Sequence, residues 1–339
     1  MRIMPKNIFN AAIMALGMLA MASCGGARQG EVYTTIEGSV WHTTMRVTYG
    51  GAVNMEDSVM AVAERVETSL SPFMAQSRIS RINRNEDMAV DGYIATVLAE
   101  SQRVNRLSGG AFDPTVAPLV NLWGFGYEQG VDEPTQAEID SCRQLVGIAD
   151  CRIEDGMMVK KSAGTQFNFS AITKGFGIDR IAEMLRGQGV ENYMVEIGGE
   201  IALRGVNARG EKWHIQIDAP TSGVADHDRL WVVALSDCCV ATSGNYRNYR
   251  DTSRGRVGHT ISPTTGMPVM GEVLSATVIA PTTMTADALA TSLMAMDAAA
   301  GLAMIENEPG AEALLVVDAD GENRVLTTGG FPPRVDDGK

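Results

Sequence analysis

Positive charge is scarce in this sequence. Its 339 residues include 28 Lys and Arg against 41 Asp and Glu, which gives a formal net charge of -13. The basic residues cluster only in a short run of arginines near Arg250. Proteins that bind nucleic acid without sequence preference present many Lys and Arg side chains to the phosphates. The composition therefore argues against nucleic acid as a partner.

Familiar metal and nucleotide motifs are also missing. The chain has four His and five Cys, and no two cysteines have the CxxC spacing, which argues against a structural zinc site. It contains neither a P-loop nor a GxGxxG segment. Cys238 and Cys239 lie in an apolar, strand-like run and are predicted to be buried thiols. Cys142 and Cys151 remain open to pairing in an oxidising compartment.

No apolar run is long enough to be a convincing membrane span, but the N-terminus has the order of a secretory signal. Arg2 and Lys6 precede the apolar residues 8–22, and small residues lead up to Cys24, as at a bacterial lipoprotein cleavage site. We predict a signal peptide over residues 1–23, a lipidated Cys24 with a flexible tether over residues 24–35, and one folded domain over residues 36–339. The alternative is an ordinary signal peptide in which the cysteine is incidental.

A lipidated Cys24 implies a protein of the bacterial cell envelope that is anchored to a membrane and faces the periplasm. Because the chain is acidic, anionic lipid headgroups do not attract it. The acyl anchor is therefore predicted to hold the protein at the membrane.

Internal repeats and Pro-rich or charge-rich linkers are absent after residue 35, so the rest of the chain is predicted to form one body. Strand and helix patterns alternate without a regular βαβ order, which favours an α+β fold. Apolar spacing predicts helices over 55–70, 94–107, 135–145 and 178–185, and strands over 193–197, 213–217, 230–235, 273–280 and 313–317.

The segment 275–291 carries the strongest chemical signal. A strand is predicted to end at Pro281, and Thr285 is a candidate N-cap for the helix that follows. Asp287 and Thr291 are four residues apart and share one helix face. A carboxylate and a hydroxyl are oxygen ligands of the kind that Mg²⁺ accepts. The alternative is a capped helix with an acidic residue near its positive end.

Two further segments contain reactive side chains. In 168–179, small residues and Lys174 lead into a helix, where backbone N–H groups and a cation can meet phosphate oxygens; the alternative is a tight loop with a solvated lysine. In 258–268, His259 precedes a turn marked by Pro263 and Gly266 and can accept a proton at neutral pH, or is simply a polar surface residue.

Aromatic residues are crowded between glycines in 111–126. This arrangement fits a platform for a flat ring or a packed hairpin, and packing is the more frequent case.

Taken together and in this order, several segments resemble the ApbE-type family of FAD:protein FMN transferases. The resemblance spans residues 40–332. It depends on 112–115 (FDPT), 122–126 (LWGFG), 172–175 (ITKG), 197–200 (IGGE), 241–244 (ATSG), 259–266 (HTISPTTG) and 286–288 (ADA) with Thr291.

The resemblance implies a fold of mixed, largely antiparallel sheets flanked by helices, and a Mg²⁺-dependent reaction. FAD is split at its pyrophosphate, and FMN is joined through its phosphate to a Thr or Ser hydroxyl of an acceptor flavoprotein, with release of AMP. Acceptors are expected among subunits of membrane redox complexes, such as sodium-pumping NADH:quinone reductase (Nqr) or Rnf-type assemblies.

Matching positions imply the site residues. The metal is expected on the side chains of Asp287 and Thr291 and on the backbone oxygen of Ala171. His259 is expected to activate the acceptor hydroxyl or to position the phosphate, with Lys174 and Asp287 as the other catalytic residues. The FAD contacts implied are Met45, Phe73, Ala111, Phe112, Asp113, Asn168, Lys174 and Ile261.

Three positions depart from the family pattern. Ser262 replaces an Asp in the turn after His259, so a carboxylate is lost there. Phe73 replaces a Tyr that often stacks on the isoalloxazine ring, and Asn168 replaces an acidic residue near the flavin nucleotide. None of these changes removes Asp287 or Thr291.

Two other functions remain as alternatives. A Mg²⁺-dependent FAD pyrophosphatase, which yields FMN and AMP without a protein acceptor, requires the same residues. A lipid-anchored flavin-binding protein binds the same ligand without turnover.

Overall fold

The computed structural model describes residues 30–128, 130, 133–220, 229–244, 249–252, 255–269 and 271–335. The predicted signal peptide and the predicted lipidation site Cys24 lie outside these residues. In the described ranges, no helix combines the length and apolar character needed to cross a bilayer. The last part of the predicted tether is folded, because the first strand already begins at Tyr33.

Helices and strands are mixed along the described chain, as an α+β fold requires. In order they are β1 (Tyr33–Val40), β2 (Thr43–Gly50), α1 (Glu56–Leu70), α2 (Arg78–Asn83), α3 (Gly92–Leu107), α4 (Ala117–Leu122), α5 (Gln136–Arg143), β3 (Arg152–Glu154), β4 (Met157–Val159), α6 (Ser170–Gly187), β5 (Tyr193–Ile197), β6 (Glu200–Arg204), β7 (Trp213–Asp218), β8 (Arg229–Leu235), β9 (Cys239–Gly244), β10 (Tyr249–Thr252), β11 (Gly255–Gly258), β12 (Val273–Ala280), α7 (Thr283–Met294), α8 (Ala298–Glu306), β13 (Glu312–Ala319) and β14 (Glu322–Thr327).

An 8-stranded sheet with the order β1-β2-β5-β6-β9-β12-β13-β14 organises the fold. Each pairing between neighbouring strands of this sheet is antiparallel. The strand pairs β3-β4, β7-β8 and β10-β11 form separate small sheets, also antiparallel. The predicted α+β class with largely antiparallel sheets is confirmed.

The alternation of buried residues along β13 shows how both faces of the large sheet are covered. Leu315 and Val317 belong to the core that includes α3 and α7, whereas Leu314 and Val316 contact hydrophobic side chains of the β7-β8 hairpin. Successive side chains of a strand point to opposite faces. Helices therefore cover one face of the sheet, and the hairpin covers part of the other.

The helices predicted from apolar spacing are confirmed, with one substantial difference in length. The α3 helix is followed by Gly109 and Gly110, both with positive φ, as expected for a helix C-terminus. The α6 helix covers residues 170–187 rather than 178–185. Its first turns hold Lys174, Gly175 and Gly177, which interrupt the apolar pattern. Packing against α7 compensates for the weak helix propensity of the two glycines.

The N-cap of α7 differs from the prediction. Thr282 is the N-cap residue, and its side-chain oxygen accepts a hydrogen bond from the N–H of Thr285 at 3.1 Å. The chain leaves β12 at Ala280, and the N-cap lies three residues earlier than predicted. The hydroxyl of Thr285 instead donates to Glu100 Oε1 at 2.8 Å, which links α7 to α3.

Cys142, Cys151, Cys238 and Cys239 are all free thiols. Cys239 is buried, as predicted, whereas Cys238 is only partly buried. Burial raises the pKa of Cys239 to about 12, and the carboxylate of Asp179 adds to this shift. Cys239 is therefore an inert thiol in the native protein.

Candidate active site

A cleft of about 500 Å³ lies between α6, α7, the β5-β6 turn, β7 and the segments that precede α4 and follow β11. It brings together side chains from segments that are far apart in the sequence. The predicted site residues that line the cleft are Phe73, Ala111, Phe112, Asp113, Asn168, Ala171, Lys174, His259, Ile261, Asp287 and Thr291.

The α6 and α7 helices approach closely at Gly175. A Cβ atom on this residue would lie 2.3 Å from the backbone oxygen of Thr283 and 2.8 Å from the Cα of Met284. Side chains do not tolerate such distances to backbone atoms, so only glycine permits this contact. The N–H of Gly175 also donates to Asp287 Oδ2 at 3.1 Å. The first turns of α6 are thereby joined directly to the first turns of α7.

Asp179 fixes the N-terminus of α7 from the next turn of α6. Its two carboxylate oxygens accept hydrogen bonds from the N–H groups of Thr283 and Met284, each at 2.9 Å. Burial raises the pKa of Asp179, against the opposing effect of these backbone donors. The carboxylate satisfies two of the N–H groups that every helix N-terminus leaves unpaired. Asp179 therefore stabilises the helix that carries Asp287.

Three charged side chains meet at the bottom of the cleft. Lys174 Nζ forms an ion pair with Glu200 Oε1, and the Glu200 side chain is only 4% exposed. Asp287 is equally buried. When both carboxyl groups are ionised, one ammonium and two carboxylates leave this cluster with an excess of negative charge.

The ionisation of these groups depends on burial and on one another. Burial lowers the pKa of Lys174, but the carboxylates of Glu200 and Asp287 outweigh this effect, and the pKa is raised. Burial raises the pKa of Glu200 to about 7, although the Lys174 ammonium opposes the shift. Burial also raises the pKa of Asp287, again against Lys174. Such shifts are typical of functional sites.

The oxygen atoms beside this cluster suit a hard divalent cation. Asp287 and Thr291 lie one turn apart on α7, and Thr291 Oγ1 is 3.3 Å from Ser243 Oγ. Ala171 lies one turn before Gly175 on α6 and lines the same cleft, and the N–H of Gly175 donates to Asp287 Oδ2 at 3.1 Å. Carboxylate, hydroxyl and carbonyl oxygens are the ligands that Mg²⁺ prefers. The donor set therefore fits the implied metal.

Side chains alone do not complete a metal site. Across the part of the chain that the structure describes, no three His, Cys, Asp or Glu side chains are grouped as metal ligands. A cation on Asp287 therefore needs backbone and hydroxyl oxygens, water and substrate for its other ligands. This composition is common for Mg²⁺ in phosphate chemistry.

His259 lines the cleft at the beginning of a tight turn. Ser262 Oγ accepts the N–H of Thr265 at 3.2 Å, and the Ser262 carbonyl accepts the N–H of Gly266 at 2.8 Å. The carbonyl of Gly266 in turn accepts the indole N–H of Trp123 at 2.8 Å. Ser262 thus supplies the oxygen that closes the turn, as an Asp would, but without the charge.

Aromatic and apolar side chains line the rim and wall of the cleft. Phe73 is 56% exposed, and its ring meets the ring of Tyr127 edge to face at 6.2 Å. Phe112 and Ile261 are buried and contribute apolar surface. The exposed face of Phe73 is suited to stack against a flat ring.

The segment 111–126 is not a hairpin. It contains the short helix α4, supplies Phe112 to the cleft and anchors the turn after His259 through Trp123.

Two polar residues predicted to contact FAD accept hydrogen bonds from nearby backbone N–H groups. Asp113 accepts hydrogen bonds from the N–H of Thr115 at 2.8 Å and from the N–H of Ile148 at 3.0 Å. Asn168 Oδ1 accepts the N–H of Ser170 at 3.0 Å, at the start of α6. The Asp113 carboxylate is therefore used to hold the loop, although the residue lines the cleft. Burial raises its pKa.

Met45, a predicted FAD contact, is not among the residues that line this cleft. Its side chain is 3% exposed and belongs to a core formed by β1, β2, β5, α1 and α6. It pairs with Gly38 on one side and with Ile197 on the other. The register of β2 points this side chain into the core, where it supports the strand that leads into the β5-β6 turn.

Sequence reasoning assigned no role to Glu200, Asp179 or Gly175. Glu200 lies in the quoted IGGE segment, and Gly175 in the ITKG segment. Glu200 begins an apolar, strand-like segment. Because a carboxylate is seldom buried without a partner, this position was a signal in the sequence that Glu200 is paired. No local pattern distinguishes Asp179 from a surface acid, since its partners are more than 100 residues away.

Comparison with known proteins finds relatives over most of the chain. A sequence profile described as the ApbE family matches residues 37–315. A protein of Vibrio cholerae named FAD:protein FMN transferase is 36% identical over 334 residues, which cover 96% of this chain and 98% of that protein. A protein of the same name from Haemophilus influenzae is 34% identical and covers 86% and 88% of the two chains.

Solved structures show the same architecture. The flavin transferase ApbE from Vibrio cholerae aligns with a TM-score of 0.81 at 36% identity and covers 90% of this chain and 100% of that one. The apo form of the Pseudomonas stutzeri flavinyl transferase ApbE aligns with a TM-score of 0.80 at 29% identity, over 89% and 96% of the two chains. With a family profile matched over most of its length, this chain belongs to the ApbE family.

Proposed function

We propose that this ApbE-family enzyme transfers FMN from FAD to a Ser or Thr hydroxyl of an acceptor flavoprotein. A bond forms between the hydroxyl oxygen and the phosphorus of the FMN half, and the pyrophosphate bond to the AMP half breaks. AMP leaves, and the hydroxyl proton passes to a base. The observation that supports this function is the cleft that joins Lys174, Asp287, Thr291 and His259 below an exposed aromatic ring.

Mg²⁺ is the proposed cofactor, held by Asp287, Thr291 and the carbonyl of Ala171. When bound, it supplies positive charge that offsets the negative charge of the pyrophosphate and of the departing AMP. Lys174 lines the same cleft and adds a further positive charge there.

His259 is proposed to receive the proton of the acceptor hydroxyl. The residue lines the same cleft as Lys174 and Asp287, and its turn is anchored to Trp123 through the carbonyl of Gly266. A fixed turn limits the positions of the His259 backbone relative to Lys174 and Asp287. Orientation of the reacting groups is a major source of rate enhancement in phosphoryl transfer.

The flavin half of FAD is proposed to lie against Phe73, Phe112 and Ile261. Phe73 retains the ring surface needed for stacking and lacks the hydroxyl of a tyrosine. The nearby Tyr127 meets Phe73 edge to face and limits the orientations of its ring.

The test of this function is incubation of the purified chain with FAD, Mg²⁺ and a candidate acceptor subunit. We expect flavin fluorescence that stays with the acceptor on a denaturing gel, together with equimolar AMP. Rapid AMP release without an acceptor would favour a FAD pyrophosphatase. Tight FAD binding without AMP release under any condition would favour a flavin-binding protein.

His259→Asn is expected to lower the rate of transfer by about 10²–10⁴-fold, the usual contribution of a positioned base. FAD binding should change little, because the apolar contacts to the flavin remain. The matched control is His214→Asn, at an exposed position of β7, which should leave the rate unchanged. Equal rates for the two variants in a single-turnover assay would contradict the role proposed for His259.

We also propose that the mature chain is a lipoprotein of the cell envelope that faces the periplasm and is anchored through Cys24. The order of basic, apolar and small residues before Cys24 supports this proposal. In a fractionated bacterial host, the full chain should sediment with membranes, whereas Cys24→Ala should shift it to the soluble fraction. Identical fractionation of both forms would show that the lipid anchor is not what holds the protein.

Subunits of membrane redox complexes of the Nqr or Rnf type are the proposed acceptors. A periplasm-facing transferase meets such subunits at the membrane surface. Mass spectrometry of a co-expressed subunit should detect FMN on a Ser or Thr side chain. An unmodified subunit alongside an active enzyme would direct the search to other acceptors.

A further inference from the structure

Lys174 is placed between two carboxylates that are held in different ways. Its ammonium pairs with Glu200 on β6, and among the described residues this is its ion pair. Asp287 on α7 is bound by the backbone N–H of Gly175 rather than by the ammonium. The ammonium therefore forms its ion pair with Glu200 and acts on Asp287 only through space, and both carboxylates line the cleft.

We propose that Glu200 is a positioning residue that holds the Lys174 ammonium away from Asp287, so that the Asp287 carboxylate stays available to a divalent cation. This inference rests on the metal site of the proposed function. It assigns to Glu200 an electrostatic role that acts through Lys174, without contact between Glu200 and the metal.

The placement of Glu200 supports a functional origin of the pair. The residue begins β6 directly after Gly198 and Gly199, whose φ values of +66° and +102° are those of a turn that glycine favours. The second carboxylate oxygen, Oε2, is buried and finds no hydrogen-bond partner among the described residues. A half-satisfied buried carboxylate costs stability, so a role in function is the simplest reason for its presence.

Charge balance explains why the lysine must be restrained. In a buried site of low dielectric constant, a free ammonium beside Asp287 would pair with it strongly and compete with a cation for its oxygens. With Glu200 ionised, the cluster keeps an excess negative charge that attracts a divalent cation. With a neutral side chain at position 200, the cluster loses its net negative charge. The Lys174 ammonium is also free to pair with Asp287 and to compete with the cation.

The experiment measures Mn²⁺ binding to the full chain by the loss of the free-ion EPR signal, at a pH above the pKa of Glu200. Glu200→Gln keeps the shape and a hydrogen-bond acceptor for Lys174 but removes the charge. It is expected to weaken Mn²⁺ binding by about tenfold or more, as changes in residues that support metal ligands commonly do. Glu200→Asp is the matched control that retains the charge, and it should bind Mn²⁺ nearly as wild type does.

A second substitution, at Lys174, shows whether Glu200 affects Mn²⁺ binding through Lys174 or directly. In combination with Lys174→Met, the change Glu200→Gln should weaken Mn²⁺ binding far less than it does alone, because the competing ammonium is gone. Non-additivity of this kind identifies coupled residues. Circular dichroism and thermal unfolding verify that each variant is folded. If Glu200→Gln is not folded, the Mn²⁺ affinity of Glu200→Asp is compared with that of wild type instead.

Each result has a distinct meaning. Unchanged Mn²⁺ affinity in Glu200→Gln would overturn the inference, and so would an equal loss with and without Lys174→Met. If Glu200→Gln is poorly folded, a loss of Mn²⁺ affinity of about tenfold or more in Glu200→Asp, which keeps the charge, would also overturn it. Failure of the wild-type chain to bind Mn²⁺ would instead reject the proposed metal site.

Discussion

Replacement of Asp287 by Asn is expected to abolish metal-dependent transfer of FMN, with a fall in rate on the order of 10³-fold or more, because a metal contributes several kcal/mol of transition-state stabilisation. The amide occupies nearly the same volume, and its oxygen can still accept the hydrogen bond from Gly175. What it lacks is the negative charge that a divalent cation requires. Single-turnover AMP release at saturating FAD measures the effect on the chemical step.

Asp287→Asn is also expected to change the thermal stability of the protein and its response to Mg²⁺. Asp287 is 3% exposed, and burial raises the pKa of its carboxyl group, which means that the folded protein disfavours the charged form. The variant should therefore unfold at the same or a higher temperature than wild type in metal-free buffer. Added Mg²⁺ should raise the unfolding temperature of wild type alone, since only a folded state that binds the ion is stabilised by it.

Thr291 provides a matched pair of variants for the same site. Thr291→Ser keeps the hydroxyl and should retain metal-dependent transfer, whereas Thr291→Val keeps the shape and should lose most of it. Metal-dependent activity that persists in Asp287→Asn, or equal activity of the two Thr291 variants, would remove the basis for placing the cation on α7.

Gly175→Ala is expected to destabilise the protein by about 2–4 kcal/mol, at or above the usual cost of overpacking, because the added methyl group meets backbone rather than a movable side chain. The Cβ would lie 2.3 Å from the carbonyl oxygen of Thr283, so α6 and α7 must separate. Separation also weakens the hydrogen bond from Gly175 to Asp287 and displaces Lys174 relative to α7. We therefore expect FMN transfer to be lost together with stability, as measured by urea unfolding and by the gel assay.

Gly187→Ala is the control within the same helix. Gly187 ends α6, and a Cβ there would have no heavy atom within 4 Å. Alanine is the better helix former, so this change should leave stability unchanged or slightly higher. Equal stability of the two variants would mean that the contact between α6 and α7 is not as tight as the structure indicates.

Elements with strong periodicity were predictable from sequence, and elements that depend on tertiary contacts were not. The strands at 193–197 and 273–280 match β5 and β12, because runs of β-branched and apolar residues are explicit in the sequence. The first two turns of α6 escaped prediction since Lys174 and two glycines break the apolar pattern. Their helical state depends on α7, which lies more than 100 residues further along the chain.

The sequence allowed most residues that line the site to be predicted, but not the contacts between them. Asp287, Thr291, Lys174 and His259 all line one cleft, as the resemblance implied. The pairing of Lys174 with Glu200 was not predictable, because it joins α6 to a strand through the sheet topology. The burial of the Met45 side chain was not predictable for the same reason, since the register of β2 decides which side of the sheet that side chain faces.

A crystal structure of the chain with FAD and Mn²⁺ would show whether a divalent cation binds Asp287 and Thr291 of α7 beside the pyrophosphate of FAD. We expect an anomalous scattering peak within direct coordination distance, about 2.1–2.3 Å, of an Asp287 carboxylate oxygen and of the Thr291 hydroxyl, with a phosphate oxygen among the other ligands. FAD bound in the cleft with the Mn²⁺ peak elsewhere, or with no peak at all, would contradict this expectation.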